Sequence, residues 1–253
     1  MARGIVDGVV GSLLLLAAVS AEAESAAPNL PGDLPAPARA RVGAVTDQAS
    51  LTTRVDGEPF MARRELFEFL LDHPEFATHV TRSLRFARYR IWQTPEGLAI
   101  DDGWGTTGTF EVVHAAPGTR VMAARGVYQQ RILPDIHGQA VVVIDYGGRP
   151  GADGRAQIQT TVSGWVKLDS GVLSWATRLA GSVAQTKADK EGKRLVKVFA
   201  RTTRAVEENP AQVYETLRQR PDVPRRELEE FRRLLNLPAA SAPPASRLAV
   251  SPR

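Results

Sequence analysis

The chain is predicted to fold as an α+β domain, a curved antiparallel sheet wrapped around a long C-terminal helix with two shorter helices after it. Three observations predict this. Residues 170–208 carry one helical apolar stripe; residues 83–168 hold successive segments of period two separated by turn clusters; and the strands precede the long helix instead of alternating with helices.

Leu51–Val55 reads as a first short strand, ended by the turn signal Asp56-Gly57. Met61–Leu71 places Leu66, Phe67, Leu70 and Leu71 on one helical face, and Asp72-His73-Pro74 stops it. Pro74 suits the first position of a second helix, which carries Phe76 and Val80. Strands follow over Ser83–Thr94, Thr106–His114, Arg120–Gln130, Gln139–Tyr146 and Arg155–Leu168, divided by Pro117-Gly118, His137-Gly138 and Gly147–Gly154. The last strand has the cleanest alternation. Ile158, Thr160, Val162, Val166 and Leu168 face one way, and Gln157, Gln159, Thr161, Ser163, Trp165 and Lys167 the other. One apolar and one polar face point to antiparallel pairing. Trp165, among polar neighbours, is expected to be exposed or covered by a partner.

The long helix is expected to start at the N-cap residue Ser170. Val172, Trp175, Leu179 and Val183 form its first stripe, and the stripe resumes in phase, 12 positions on, at Leu195, Val198, Phe199, Thr202 and Val206. Gly192 is the place where it would break, since an interior glycine costs about 1 kcal/mol. Asn209-Pro210 ends it. Two helices follow, one beginning at Pro210 with Val213 and Leu217, one after Pro224 with Leu228, Phe231, Leu234 and Leu235.

The flanks are different in kind. Residues 1–23 hold Arg3, a short apolar run and Ala21-Glu22-Ala23, the pattern of a signal peptide cut after Ala23, too short for the roughly 20 residues of a spanning helix. The alternative is an uncleaved anchor. A periplasmic or secreted location is the expectation. Residues 24–50 and 239–253, rich in Ala, Pro and Ser, read as a disordered linker and tail. Zero cysteines exclude disulfides, thiolate metal sites and a cysteine nucleophile. Cleavage would raise the net charge from +4 to +5, but 28 acidic residues interleaved with the basic ones argue against a nucleic-acid partner.

A strand, two short helices, a curved antiparallel sheet and a long C-terminal helix resemble the order of the START-like, or polyketide cyclase and lipid-transport, superfamily. The local likeness is best at RRELFEFLLDHPEFATHV, Arg63–Val80. The resemblance covers residues 51–209, leaving 210–238 as a helical extension. It implies a helix-grip fold with a cavity between sheet and long helix, and a hydrophobic ligand or lipid inside it. Ala176, Ala180, Gly181 and Ala184 would then border the cavity. Close packing of these small residues is the alternative.

The residues offer no catalytic signature. His73 and His79 are six apart on interrupted helices, so no metal pair forms, and neither metal nor cofactor is expected. Asp101 and Asp102 on a strand would point to opposite faces, and with Gly103 they read as a turn. No serine has a neighbouring histidine, and no phosphate loop is present. Arg125 shares strand parity with Val121, Ala123 and Val127. Should that face point inward, its guanidinium would need a protein or ligand anion; on the other face it is solvated. The expected ligand-binding set is Trp104, Arg125, Trp175, Leu179 and Gly181. The basic, apolar-striped last helix is also a candidate for peripheral membrane contact, against a solvated face as the plain reading. The functional expectation is a non-enzymatic exported carrier of a hydrophobic small molecule or lipid. A cyclase- or hydrolase-type enzyme on the same fold, and an envelope scaffold without ligand, are the alternatives.

Overall fold

The computed structural model describes residues 30–103, 105–129, 135–151, 153–169 and 181–238, the side chains of 181–191 excepted. Among the described residues the elements are α1 (Ala36–Thr46), β1 (Leu51–Asp56), β2 (Phe60–Ala62), α2 (Arg64–Asp72), α3 (Pro74–Ser83), β3 (Arg90–Thr94), β4 (Gly97–Asp101), β5 (Thr106–Ala116), β6 (Thr119–Tyr128), β7 (Ile136–Pro150), β8 (Ala156–Leu168), α4 (Gly181–Glu208), α5 (Pro210–Arg218) and α6 (Arg225–Leu234). The fold is α+β, as expected. Its eight strands form one curved antiparallel sheet in the order β1-β8-β7-β6-β5-β4-β3, with β2 pairing beside β1 on β8.

Among the described residues, three apolar cores follow from which face each element can bury. On one face of the sheet, Val55, Phe60, Ile144, Ile158 and Val162 meet Phe67 and Leu71 of α2 and Val196 and Ala200 of α4. The other flank of α2, Leu66, Phe69 and Leu70, turns to a helical core built with Phe76, Val80, Val206, Val213, Leu217, Leu228 and Phe231. One nine-residue helix therefore joins sheet and helical lobe because it is apolar on two sides. The third core lies on the opposite face of the sheet. There Leu34, Ala38, Val42 and Val45 pack onto Val121, Val141, Val143 and Trp165.

That third core corrects the linker expectation over residues 30–50, residues 24–29 lying outside the described residues. The stretch holds an 11-residue helix, α1, with prolines only at its entry, where a missing N–H costs nothing. Trp165 is 8% exposed, and what covers it is the chain's own N-terminal segment. The strand expected at Ser83–Thr94 is also shorter. Leu84 and Arg85 form a turn, with Arg85 in the left-handed region at φ 58°, Phe86 bends the chain, and pairing begins only at Arg90. Gly97–Asp101, unassigned from sequence, pairs with both β3 and β5. Helix α4 runs unbroken through Gly192. The expected start at Ser170 and its first turns, residues 170–180, lie outside the described residues, as do the signal peptide and the C-terminal tail.

Candidate functional site

The two faces of the sheet offer different chemistry, and the strand register assigns residues to each. Thr109, Arg125, Gln139 and Lys167 pair in one row across β5 to β8; Glu111, Ala123, Val141 and Trp165 make the next. Val141 and Trp165 lie under α1, so this is the α1 face. Here an open groove of about 1170 Å³ is lined by Thr107, Thr109, Arg125, His137 and Gln139, with Arg41 and Ala44 of α1 beside them. Arg41 pairs with Glu111, and Lys167 Nζ donates to the Ala44 carbonyl at 3.3 Å.

Arg125 belongs to this groove. It is exposed, and its Nε donates to Thr109 Oγ1 at 3.2 Å. Its expected place in a cavity between sheet and long helix is therefore corrected: the strand turns residue 125 to the α1 face, away from α4. Parity linked Arg125 correctly to Val121, but parity cannot say which face is inward. Trp104, Trp175 and Leu179 lie outside the described residues, and Gly181 opens α4 in the stretch whose side-chain surroundings are not described.

The α4 face carries the complementary rows. Gln93, Leu98, Phe110, Ala124 and Ala140 share one row; Ile91, Ile100, Gly108, Gly126 and Gly138 share the next; Val112 and Met122 extend the field toward the α4 core. Leu98, Ile100, Phe110, Met122 and Ala124 are half-buried, and Val112 is 37% exposed. Helix α4 makes its sheet contacts chiefly on β1, with others on β2 and β8. The packing there is tight. A Cβ on Gly57 would collide with Val196 and Thr160. Thus one end of this face is solid, while the β4–β6 end presents half-covered apolar side chains over a row of three glycines.

A polar cluster sits where α2 ends against β6 and β7, and sequence reasoning passed it over. Arg120 is 6% exposed. Its Nε and Nη2 donate to Asp72 at 2.6 and 3.0 Å, and Nη1 donates to Ala116 O, Thr119 O and the Tyr146 hydroxyl. Tyr146 in turn donates to Glu68 Oε1 at 3.1 Å. The Asp72 hydrogen bond raises the guanidinium pKa above its ordinary value, and burial raises that of the Tyr146 phenol. With five hydrogen bonds already made, the guanidinium fastens a helix to the sheet and leaves little for a substrate.

The last helix is likewise occupied. Leu228 and Phe231 are buried in the helical core. Arg225 donates to the carbonyls of Arg218 and Arg220, and Arg232 to Glu229 and the Leu237 carbonyl. Its apolar stripe is therefore spent inside the protein, while Arg225, Arg226 and Arg233 stay exposed. Among the described residues no cluster of three or more His, Asp or Glu could hold a metal ion, and no helix is long and apolar enough to cross a membrane.

No protein-family model and no curated protein matches the chain. Among solved structures it is similar to a conserved protein from Geobacillus kaustophilus, at 15% identity and TM-score 0.40, over 63% of this chain and 97% of that one. It is similar to a hypothetical protein from Helicobacter pylori at 7% identity and TM-score 0.35, over 60% and 86%. A third, truncated norcoclaurine synthase from Thalictrum flavum, stands at 12% identity and TM-score 0.30, over 58% and 94%. At these scores the likeness carries no functional argument.

Proposed function

We propose that this protein binds a hydrophobic small molecule or lipid on the α4 face of its sheet, over β4 to β6, in a helix-grip arrangement. The observation that carries the reading is the half-buried field of Leu98, Ile100, Phe110, Met122 and Ala124 above Gly108, Gly126 and Gly138. Apolar surface left at a core's edge contributes about 25 cal/mol per Å² when a ligand covers it. Trp175, Leu179 and Gly181 are carried into this proposal as the lining from the helix side, and Trp104 from the β4–β5 turn. The proposal includes export to the periplasm or medium through cleavage after Ala23.

Native mass spectrometry of protein purified from its own host tests it, with Ala124→Phe as the comparison. A co-purified hydrophobic molecule, lost in Ala124→Phe while the melting temperature holds, is the expected result. A clean apo mass for the unaltered chain, with Ala124→Phe strongly destabilised, would mean that the field is filled by the protein itself. Trp175→Ala is expected to weaken ligand retention more than folding.

A further inference from the structure

The exposed side of α4 carries a run of cations that neither the fold nor the proposed ligand site uses. Lys193, Lys197, Arg201 and Arg204 recur at steps of four, four and three, which keeps them on one helical face. All four are exposed, and Arg194 beside them is half-buried. The far side of the same turns holds Thr202, Thr203 and Val206, each 3% exposed or less, and Val196 and Ala200 are buried along the edge of the cationic row. The helix is thus fixed by one face and cationic on the other.

Among the described residues none of these five cations has a carboxylate partner, although ion pairs are common elsewhere in the chain. Arg204 Nε reaches only the Ala200 carbonyl, at 3.5 Å. Arg201 stacks on Phe86, 3.9 Å from the ring centroid, and exposed Arg85 is the next residue in that loop. Glu208, four residues beyond Arg204, ends the run. From residue 193 to 204 the rise is roughly 16 Å, so neighbouring charges lie within a Debye length of about 8 Å and reinforce one another. Four exposed cations with no carboxylate partner among the described residues, on one face of a helix, are complementary to a plane of phosphates.

We infer that this face of α4 is a docking surface for an anionic phospholipid membrane. Charge geometry favours that partner over nucleic acid. The single aromatic ring in the patch, Phe86, lies under Arg201 and offers no face for base stacking. The net charge of the whole chain is only +4, which gives no field extended enough to follow a polyanion. The inference does not depend on the ligand site, since vesicle binding reads the surface and not the cargo.

Flotation of the full chain with phosphatidylcholine vesicles, with and without about 30 mol% phosphatidylglycerol, tests it. The protein is expected to float only with the anionic vesicles and to be released by about 0.5 M NaCl. The triple variant K193Q/K197Q/R204Q should bind about a hundredfold more weakly, each cation near such a surface contributing about fivefold, with an unchanged melting temperature. Neutralising Arg225, Arg226 and Arg233 on α6 serves as the control and should change binding little. Equal flotation with neutral vesicles overturns the assignment. So does a triple variant that binds like the unaltered chain, an α6 control that loses as much, or tighter binding to a single-stranded oligonucleotide than to the anionic vesicles.

Discussion

Gly192 lies against Val55. A Cβ built on the glycine would come 2.8 Å from Val55 Cγ2, and Val55 is itself 4% exposed. The long helix rests on β1 as closely as it does because residue 192 has no side chain. Two effects oppose each other in Gly192→Ala. Helix propensity favours alanine by about 1 kcal/mol, while forcing an extra carbon into a packed contact costs about 1 to 3 kcal/mol. Overpacking should win, giving a net loss of about 1 kcal/mol in chemical denaturation. Val55→Ala in the same chain should recover part of it, because the two sites touch and their effects cannot be additive. A Gly192→Ala protein more stable than the parent would show that the contact relaxes freely.

The Arg120 cluster makes a sharper claim, that shape matters there as much as charge. A planar guanidinium meets Asp72 through two parallel bonds and the Tyr146 hydroxyl and two carbonyls through a third nitrogen. Lysine keeps the charge but lacks the fork. Arg120→Lys should therefore lose about 2 kcal/mol, chiefly from buried acceptors left without donors. The denaturation midpoint checks this, and an unchanged midpoint would reduce the cluster to a simple ion pair.

His79 should couple the helical lobe to pH. It is 7% exposed in α3, with Nδ1 3.5 Å from Asp222 Oδ2 in the α5–α6 connection. Burial lowers its pKa more than Asp222 raises it, and Arg220 and Arg82 lower it further. A histidine whose folded pKa is depressed contributes stability that is fully present above its ordinary value near 6.5 and is lost as pH falls below it. Asp222, held down at about 2 first by the Arg220 hydrogen bond, adds a second loss only in strong acid. Glu75 works the other way. Burial and then Glu227 raise its pKa, so it favours the fold below its ordinary 4.5. Melting temperatures from pH 7.5 to about 5 should fall more steeply for the parent than for His79→Gln, and parallel curves would remove His79 from the account.

How far the sequence revealed these relationships depends on the kind of signal each left. Alternation over Arg155–Leu168 survives in the structure because Ile158, Thr160, Val162, Val166 and Leu168 are all buried. The stripe read along the long helix survives only at Thr202 and Val206; Leu195, Val198 and Phe199 are half-buried, and Val196, Ala200 and Thr203 fill the buried face instead. The same rule misled at Leu84 and Phe86, where two apolar residues in a turn imitate a strand. Strand β4, five residues beginning with a glycine, was too short to announce itself. Helix α1 left a trace in the spacing Leu34, Ala38, Val42, Val45, but alanine is a weak apolar marker and the prolines around it argued for coil. At the site, spacing paired Arg125 with its neighbours yet could not choose the face. The bonds of Arg120 join residues up to 48 apart, which no local pattern encodes.

Helix α1 supplies the last prediction, because it is held by one face only. Val42 is fully buried at its centre, against Val121, Val141, Val143 and Trp165. The rim adds Arg41 with Glu111, and His114 3.4 Å from Asp33. Both carboxylates are substantially exposed, so these pairs contribute little. The attachment therefore depends on a few small apolar side chains, while the strands beneath are bound on both sides by backbone ladders. Val42→Asp must either bury a charge or release the helix, and release is the cheaper course. Hydrogen exchange should then show residues 36–46 exchanging rapidly while β7 and β8 stay protected, as expected of a unit that opens locally. Acrylamide should quench Trp165 more strongly, with Trp165→Phe identifying its share of the signal. Loss of protection in β7 and β8 to the same extent would show instead that α1 belongs to the cooperative core and cannot leave without unfolding the sheet.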